Sequence, residues 1–259
     1  MNYGIVRTPC MAVRKEANER SEMSSQLLFG EIFEILEDRP PWLFVKNEYD
    51  AYEGWISRSG VGFLSSEDLE SYRGYSNCIQ PLPFLYMQGE GMKVRIPVPA
   101  GAVLYYKDSN PLLVHCGSYY MMQEPCQNME GDLDDQIIAT GKQFLNLPYL
   151  WGGKSSYGTD CSGLVQTVFK IIGIPAARDT SDQVKQGSTV NLFSEARTGD
   201  LAFFDNEEGE IVHVGLMMET GKILHASGYV RIDPVDHQGI YNSEQEKYTH
   251  KLRVIKRIT

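Results

Sequence analysis

Apolar and polar positions alternate in short runs over the first half of the chain. Runs such as GIVRTPCMAVR, GEIFEILE and WLFVKNE are typical of β-strands, and turn-forming stretches such as EDRP and DSNP separate them. Many short strands at close spacing are typical of small barrels. The pattern therefore predicts two small β modules, over residues 1–70 and 71–127.

The pattern changes near residue 129, where the apolar period becomes helical. Apolar residues recur at helical spacing from Leu133 to Phe144, and a second helical pattern runs from Cys161 to Ile172. Strand-like runs follow: DLAFFD, IVHVGLMM, KILHAS and YTHKLRVIKRI. Helices followed by an antiparallel sheet form an α+β arrangement. Residues 128–259 are therefore predicted to form a separate domain.

Composition and charge restrict the possible partners of the protein and its possible compartment. The formal net charge of −10 over 259 residues argues against a nucleic-acid partner, because binding phosphates requires a basic surface. No apolar run approaches the roughly 18 residues that span a bilayer, and the N-terminus shows no signal-peptide core. The cysteines are odd in number and too widely spaced for a zinc ribbon: Cys10, Cys78, Cys116, Cys126 and Cys161. We therefore expect a cytoplasmic protein with free thiols, or a periplasmic protein whose signal peptide has been removed.

Cys161 directly follows Asp160, at the predicted start of the second helix. Backbone N–H groups are unpaired there and the helix dipole is positive, which favours a thiolate. The same N–H groups can stabilise an oxyanion on a carbonyl that the sulfur attacks. A cysteine at a helix start is also commonly a buried apolar residue. The stretch YGTDCSGLV alone therefore leaves both interpretations open.

Two downstream histidines are candidates for the base and for the group that orients it. His213 lies in IVHVGLMM and His225 lies in ILHAS, and ETGK between them predicts a hairpin turn. Because side chains alternate along strands, the two imidazoles share a face only if the loop is odd or carries a bulge. We predict such a loop or bulge, for which Gly221 is well suited. The remaining histidines are expected to be ordinary core or surface residues: His115, His237 and His250.

A zinc site is a weaker alternative for these side chains. Cys161, His213 and His225 are of ligand type, but their spacing matches no compact zinc-binding motif. The acyl-transfer chemistry of a cysteine and a histidine needs no metal or organic cofactor. We therefore expect neither.

Four motifs, in this order, resemble the NlpC family of bacterial cell-wall cysteine peptidases: PYLWGGKSSYGTDCSGLVQ, RTGDLAFFD, VHVGLMM and ILHAS. The resemblance covers about residues 130–259 and implies a papain-like domain. The first upstream module resembles bacterial SH3-like domains, whereas the second departs most from that pattern. The expected fold class is α+β, a papain-like catalytic domain with a helical half and an antiparallel sheet, preceded by two small SH3-like β-barrels.

The resemblance also implies roles for individual residues. Cys161 would be the nucleophile, His213 the general base and later the acid, His225 its orienting partner, and Tyr149 an oxyanion donor. Implied substrate contacts are Asp160, Ser162, Asp179, Thr180, Arg178, Trp151, Glu22 and Tyr52. Thr180 stands where the family pattern has serine, and a surface salt bridge is an alternative for Arg178.

The family substrate is a free murein tripeptide or tetrapeptide, L-Ala-γ-D-Glu followed by meso-diaminopimelate or L-Lys. The resemblance implies hydrolysis of the γ-D-glutamyl bond in cell-wall peptide recycling, by a monomer that requires an unblocked N-terminal L-Ala. A carboxylate would bind the free ammonium. Two alternatives remain: a non-catalytic peptidoglycan-binding protein, and an amidase or acyltransferase with the same Cys-His chemistry.

Overall fold

The computed structural model describes residues 2–89, 95–107, 110–112, 120–122 and 131–258. It separates into two compact units: Met1–Asn128 with Trp151–Ser156, and Met129–Leu150 with Tyr157–Thr259. The predicted boundary at residue 127 lies outside the described residues, as do His115, Cys116 and Cys126. The described chain is mostly β. None of its described helices has the length and apolar composition that crossing a membrane requires.

The first unit begins with seven short strands whose buried positions largely alternate. The strands are β1 (Tyr3–Val6), β2 (Cys10–Arg14), β3 (Met23–Leu28), β4 (Ile32–Arg39), β5 (Trp42–Asn47), β6 (Glu53–Ser57) and β7 (Val61–Leu64). They form one antiparallel sheet in the order β3-β2-β6-β5-β4-β1-β7. Helix α1 (Ser66–Gly74) follows, and Ser65 and Asp68 form a capping box at its start. This region corresponds to the first predicted module.

Six further strands cover the second predicted module: β8 (Ser76–Ile79), β9 (Phe84–Gly89), β10 (Arg95–Pro99), β11 (Val103–Lys107), β12 (Asn110–Leu112) and β13 (Tyr120–Met122). They form two three-stranded sheets, β10-β9-β13 and β12-β11-β8. The strands predicted from the sequence are present, while their closure into two barrels stays a prediction.

The cysteines differ from expectation at one position. Cys10 and Cys161 are free, as predicted, but Cys78 on β8 is disulfide-bonded. The expectation of free thiols is therefore wrong for Cys78. The pairing of a cysteine depends on which residues the tertiary fold brings to it, and spacing along the chain does not show this.

A buried ion cluster anchors the segment Trp151–Ser156 within the first unit. Strand β14 (Lys154–Ser155) belongs to this segment. The Lys154 ammonium lies 3.3 Å from Glu31 Oε1 and 3.6 Å from Asp50 Oδ2, and all three side chains are at most 2% exposed. The Lys154 backbone N–H also donates to Gln26 Oε1 at 3.0 Å. The segment is thus held by charge as well as by backbone hydrogen bonding.

Replacing Lys154 with methionine is expected to lower the free energy of unfolding by at least about 3 kcal/mol, because two buried carboxylates lose a shared ammonium. Urea denaturation measures this change. Lys185→Met is the matched control, since the exposed Lys185–Asp182 pair should contribute less than about 1 kcal/mol. Equal small losses for both variants would contradict the structural role of Lys154.

The second unit supplies the helices predicted from the apolar spacing. Helix α2 (Leu133–Lys142) and helix α3 (Cys161–Ile171) confirm both predictions, and α3 begins at Cys161 as expected. Two short helices were not predicted, α4 (Thr180–Gln183) and a 3-10 helix at Phe193–Glu195. Helix α3 is buried along nearly its whole length and packs against the sheet described next.

The sheet of the second unit is antiparallel. Its strands follow the short β15 (Gly158–Thr159) and are β16 (Ser188–Val190), β17 (Leu201–Asp205), β18 (Ile211–Glu219), β19 (Lys222–Ser227), β20 (Tyr229–Pro234), β21 (Gly239–Asn242) and β22 (Lys247–Arg257). The order is β16-β22-β17-β18-β19-β20, and β21 pairs with β22. Helix α3 contacts β18 and β19, so the helix packs against these two strands of the sheet.

The hairpin between β18 and β19 carries the predicted irregularity. Met217 pairs with Ile223 and Glu219 pairs with Lys222, so Met218 has no opposite residue and forms a bulge. The bulge restores the parity that places His213 and His225 on one face. The prediction is confirmed, although the bulge falls at Met218 and Gly221 lies in the turn with a φ of +75°.

Candidate active site

Cys161 is the first residue of α3 and is buried against the sheet. Asp160 is the N-cap, and its Oδ1 accepts the backbone N–H of Gly163 at 2.7 Å. The sulfur lies 3.9 Å from the hydroxyl of Thr180. The Asp160 cap therefore fixes the start of α3 and the backbone position of Cys161 there.

The ionisation of Cys161 differs from the expectation based on its helix position. Burial is the largest effect and raises the pKa of the thiol, and the Asp160 carboxylate raises it further. Backbone N–H groups of Val214 and Ser162 and the Thr180 hydroxyl lower this pKa, but by less. The predicted preference for a thiolate is therefore wrong for the resting site, because desolvation outweighs the helix N-terminus.

The two predicted histidines meet across β18 and β19. His213 Nε2 lies 3.0 Å from His225 Nδ1, and both rings are buried. His225 Nε2 in turn lies 2.9 Å from Asp233 Oδ2 on β20. Arg231 contacts the same carboxylate, donating from Nη2 to Asp233 Oδ1 at 2.9 Å. The structure brings the two histidines together and adds a carboxylate that the sequence did not indicate, while their catalytic roles stay predictions.

This chain of contacts fixes the tautomer of both imidazoles. Burial raises the pKa of Asp233, but hydrogen bonds from His225 and Arg231 outweigh burial and leave this pKa below its usual value. The ionised carboxylate only accepts hydrogen bonds, so His225 donates from Nε2 and accepts at Nδ1. His213 must then carry its proton on Nε2. Its Nδ1 is then left as the unprotonated nitrogen.

His213, the predicted base, is held neutral. Burial lowers the pKa of His213 well below its ordinary value, and the neighbouring His250 and His225 lower it further. The imidazole of His213 and the thiol of Cys161 are therefore both uncharged at rest.

A third imidazole, His250 on β22, stacks on His213. The His213 and His250 ring centroids lie 4.3 Å apart with an interplanar angle of 28°. Burial lowers the pKa of His250 to about 4, and its Nδ1 lies 2.9 Å from the hydroxyl of Thr249. The sequence analysis expected an ordinary residue here, because no motif surrounds His250. Only the pairing of β17 with both β18 and β22 brings it to the base.

The three imidazoles are also the group among the described residues that could hold a metal ion. One nitrogen of each of His213, His225 and His250 lies within 4.8 Å of the others. His213 Nε2 and His225 Nδ1 lie within hydrogen-bonding distance of each other, so an ion bound through these two nitrogens would displace the proton between the rings.

Tyr149 lies close to Cys161, the predicted nucleophile. Its backbone N–H donates to Gly228 O at 3.1 Å, and Tyr149 bridges to Thr159 just before α3. Burial, followed by the charges of Cys161 and Asp160, raises the pKa of the Tyr149 hydroxyl to about 12. The hydroxyl therefore stays protonated and able to donate. This state suits the predicted oxyanion role, which remains a prediction.

Three residues predicted to contact substrate also contact one another. Arg178 Nη2 lies 2.7 Å from Asp160 Oδ2, and Arg178 Nη1 donates to Ser162 Oγ at 3.0 Å. All three residues are buried, so the surface salt bridge considered for Arg178 is wrong, while their predicted contacts with substrate stay predictions. We assign Asp160, Ser162 and Arg178 to holding the start of α3. Asp179, the N-cap of α4, and Thr180 are half-buried and keep their predicted role as a prediction.

In the first unit, two predicted residues lie together although 129 positions separate them. Trp151 Nε1 donates to Glu22 Oε1 at 2.7 Å, and the Lys15 ammonium lies 2.7 Å from Glu22 Oε2. Hydrogen bonds from Lys15 and then Trp151 lower the pKa of Glu22. Tyr52 is half-buried beside the apolar cluster of this unit, and its backbone N–H donates to Asp50. Binding roles for Glu22, Trp151 and Tyr52 stay predictions.

The uncharged resting states of Cys161 and His213 allow a prediction of how Cys161 reacts with iodoacetamide. Because the pKa of Cys161 is raised and that of His213 is lowered, the thiolate fraction should rise about tenfold per pH unit between about pH 6 and pH 8. Peptide mapping by mass spectrometry separates Cys161 from Cys10, the other free cysteine among the described residues. A rate that stays constant over this range would instead indicate a preformed thiolate–imidazolium pair.

Several known proteins are similar to this chain in sequence and in fold. Residues 146–253 match the NlpC/P60 family, and residues 13–69 match the bacterial dipeptidyl-peptidase SH3 domain. A γ-D-glutamyl-L-lysine dipeptidyl-peptidase of Bacillus subtilis (strain 168) is 32% identical over 219 residues, covering 79% of this chain and 72% of the relative. A dipeptidyl-peptidase 6 of Lysinibacillus sphaericus is 24% identical over 247 residues, covering 86% and 88%.

A solved structure gives the same fold. An NlpC/P60 family protein from Bacillus cereus ATCC 10987 superposes with a TM-score of 0.80 over 99% of both chains, at 18% identity. Together with the Cys161, His213 and His225 geometry, these likenesses place a papain-like domain after an SH3-like region. The chain belongs to the NlpC/P60 family and is a cysteine peptidase.

Proposed function

We propose that this peptidase hydrolyses the γ-D-glutamyl-L-diamino-acid bond of free murein peptides with an unblocked N-terminal L-Ala, in cell-wall peptide recycling. The observation that carries the reaction type is the hydrogen-bonded series His213, His225 and Asp233 in the same packed unit as Cys161. The substrate class is supported by the names of the relatives, γ-D-glutamyl-L-lysine dipeptidyl-peptidase and dipeptidyl-peptidase 6.

The reaction begins when His213 Nδ1 takes the thiol proton and the sulfur of Cys161 attacks the γ-carbonyl carbon of D-Glu. The Cys161 backbone N–H and the Tyr149 hydroxyl would donate to the resulting oxyanion. The C–N bond then breaks, and protonated His213 gives its proton to the leaving amine of the diamino acid. Water, deprotonated by the same nitrogen, hydrolyses the thioester and releases L-Ala-γ-D-Glu.

His225 and Asp233 act on the charged intermediate state of this cycle. When His213 is an imidazolium, its Nε2–H still donates to His225 Nδ1, and His225 Nε2–H donates to the Asp233 carboxylate. The negative charge of Asp233 stabilises the imidazolium through the intervening ring without itself taking a proton. A neutral histidine thus performs the orienting role.

Recognition of the free L-Ala ammonium is assigned to Glu22. Its pKa is lowered, so its carboxylate is ionised at neutral pH, as an ammonium partner must be. Trp151 holds one of its oxygens in place. Tyr52 is proposed as a second contact, on the resemblance alone.

Defined peptides test this proposal. Purified protein should release L-Ala-γ-D-Glu from L-Ala-γ-D-Glu-L-Lys or its meso-diaminopimelate counterpart, and N-acetylation of L-Ala should reduce the rate at least about tenfold, because the ammonium loses its charge. Mass spectrometry identifies the products.

Glu22→Gln should reduce this preference for the free amine, whereas Glu19→Gln, which alters an exposed carboxylate paired with Arg14, should leave the preference unchanged. Equal rates on free and acetylated peptides would refute the role of the ammonium. Release of the acyl group to an added amine in place of water would favour the acyltransferase alternative.

A further inference from the structure

A cleft of about 430 Å³, lined by residues with polar groups, lies where β17 ends and β22 begins. His250 forms part of its wall, and the same imidazole stacks on His213 at a centroid distance of 4.3 Å. The cleft is therefore one ring away from the general base. Since that base also protonates the leaving amine, the leaving group must pass close to His213.

One carboxylate in the wall of this cleft lacks a hydrogen-bond donor. The side chain of Asp205 is only 4% exposed, and its Oδ1 accepts no hydrogen bond from the described residues. The ammonium of Lys251 lies 4.0 Å from this oxygen and Arg253 Nε lies 3.7 Å from Oδ2. Both distances exceed a hydrogen bond. A buried carboxylate oxygen without a donor requires a physical explanation.

The cations near Asp205 are weakly held. The side chains of Lys251 and Arg253 are 78% and 64% exposed, so solvent screens their attraction and both can move away. Glu207 adds a second carboxylate to the lining, so acidic groups outnumber the basic Lys251 there. A ligand that brought its own ammonium would supply the missing donor and displace Lys251.

We propose that this cleft receives the side chain of the departing diamino acid, with Asp205 accepting its ω-ammonium. The inference rests on the proposed function, and it adds a residue that selects the leaving group. L-Lys and meso-diaminopimelate share a primary ammonium at the end of an aliphatic chain. The carboxylate beside that ammonium in meso-diaminopimelate would face Lys251, whereas L-Lys offers no such group.

Three tripeptides of the form L-Ala-γ-D-Glu-X test the assignment, with X as L-Lys, meso-diaminopimelate or L-norleucine. Norleucine keeps the aliphatic chain of lysine up to its last carbon but has no ammonium. The protein is expected to prefer L-Lys over norleucine by at least about tenfold in kcat/KM, and Asp205→Asn should lower this ratio about tenfold. Hydrolysis of the norleucine peptide by Asp205→Asn reports that the catalytic residues of the variant are assembled.

Two further variants sharpen the test and do not depend on the folding of Asp205→Asn. Lys251→Met removes the competing ammonium from an exposed position and should raise the L-Lys to norleucine ratio, while lowering the ratio of meso-diaminopimelate to L-Lys. Glu208→Gln removes one negative charge from an exposed residue outside the cleft and should leave the first ratio within about twofold.

Several results would overturn the cleft assignment. These are equal cleavage of the L-Lys and norleucine peptides, an equal loss on both in Asp205→Asn, no change of either ratio in Lys251→Met, or a change in Glu208→Gln as large as in Asp205→Asn. Failure of the folded protein to cleave any of the three peptides would instead overturn the proposed function, and the cleft assignment with it. A preference for meso-diaminopimelate over L-Lys that Lys251→Met abolishes would identify meso-diaminopimelate as the diamino acid whose ammonium the cleft receives.

Discussion

Cys161→Ser is expected to reduce dipeptide release at least about a thousandfold, to near the limit of detection. A serine hydroxyl is a far weaker acid than a thiol, and burial lowers the pKa of His213, so this imidazole is too weak a base to activate an alcohol. The loss should fall on kcat, since the serine variant keeps the shape of the site. Release of L-Ala-γ-D-Glu, followed by mass spectrometry, measures it.

Cys10→Ser provides the control for this substitution. Cys10 is a free cysteine of the first unit, lies partly buried on β2, and has no part in the proposed reaction. Its replacement should leave kcat within about twofold. If Cys161→Ser retained more than about one hundredth of the activity, Cys161 would not be the nucleophile.

Asp233→Asn is expected to lower kcat at least about a hundredfold and to change KM little. The substitution removes the negative charge that stabilises the His213 imidazolium across His225. It also replaces a carboxylate that accepts from both His225 and Arg231 by an amide with a single acceptor oxygen. Where the amide nitrogen faces His225, the proton of His225 moves to Nδ1, and His213 loses the tautomer that can accept a proton from Cys161.

The kinetic split separates this effect from a general loss of structure. Steady-state kinetics on the free tripeptide give kcat and KM, and a thermal unfolding curve reports the folded fraction. Asp236→Asn is the matched control, because Asp236 lies just after β20 but binds the hydroxyl of Tyr248, not a histidine. A loss in Asp233→Asn no greater than in Asp236→Asn would exclude the carboxylate from the catalytic series.

The sequence indicated the parts of the site that follow from local periodicity. The helical spacing after Cys161 predicted the start of α3, and the alternation along β18 and β19 predicted that an odd loop or a bulge must bring His213 and His225 to one face. Both features depend on a few neighbouring residues. They could therefore be inferred before any tertiary contact was known.

The parts that the sequence did not indicate depend on which strands pair. Asp233 reaches His225 because β20 lies beside β19, and His250 reaches His213 because β17 pairs with both β18 and β22. Neither residue stands in a motif. The protonation of Cys161 was predicted wrongly for a related reason: helix position is visible in the sequence, whereas the degree of burial that outweighs it is a property of the packed fold.

The ion cluster around Lys154 limits how freely the two parts of this chain can be exchanged. The sequence WGGKSS lies between Tyr149 and Cys161, yet it folds with the first unit, where Glu31 and Asp50 receive its lysine. Deleting residues 1–128 would leave that lysine without these carboxylates, a few residues before the nucleophile. A chimera that takes its SH3-like region from a relative must therefore carry acidic residues at the positions of Glu31 and Asp50, or replace Lys154 as well.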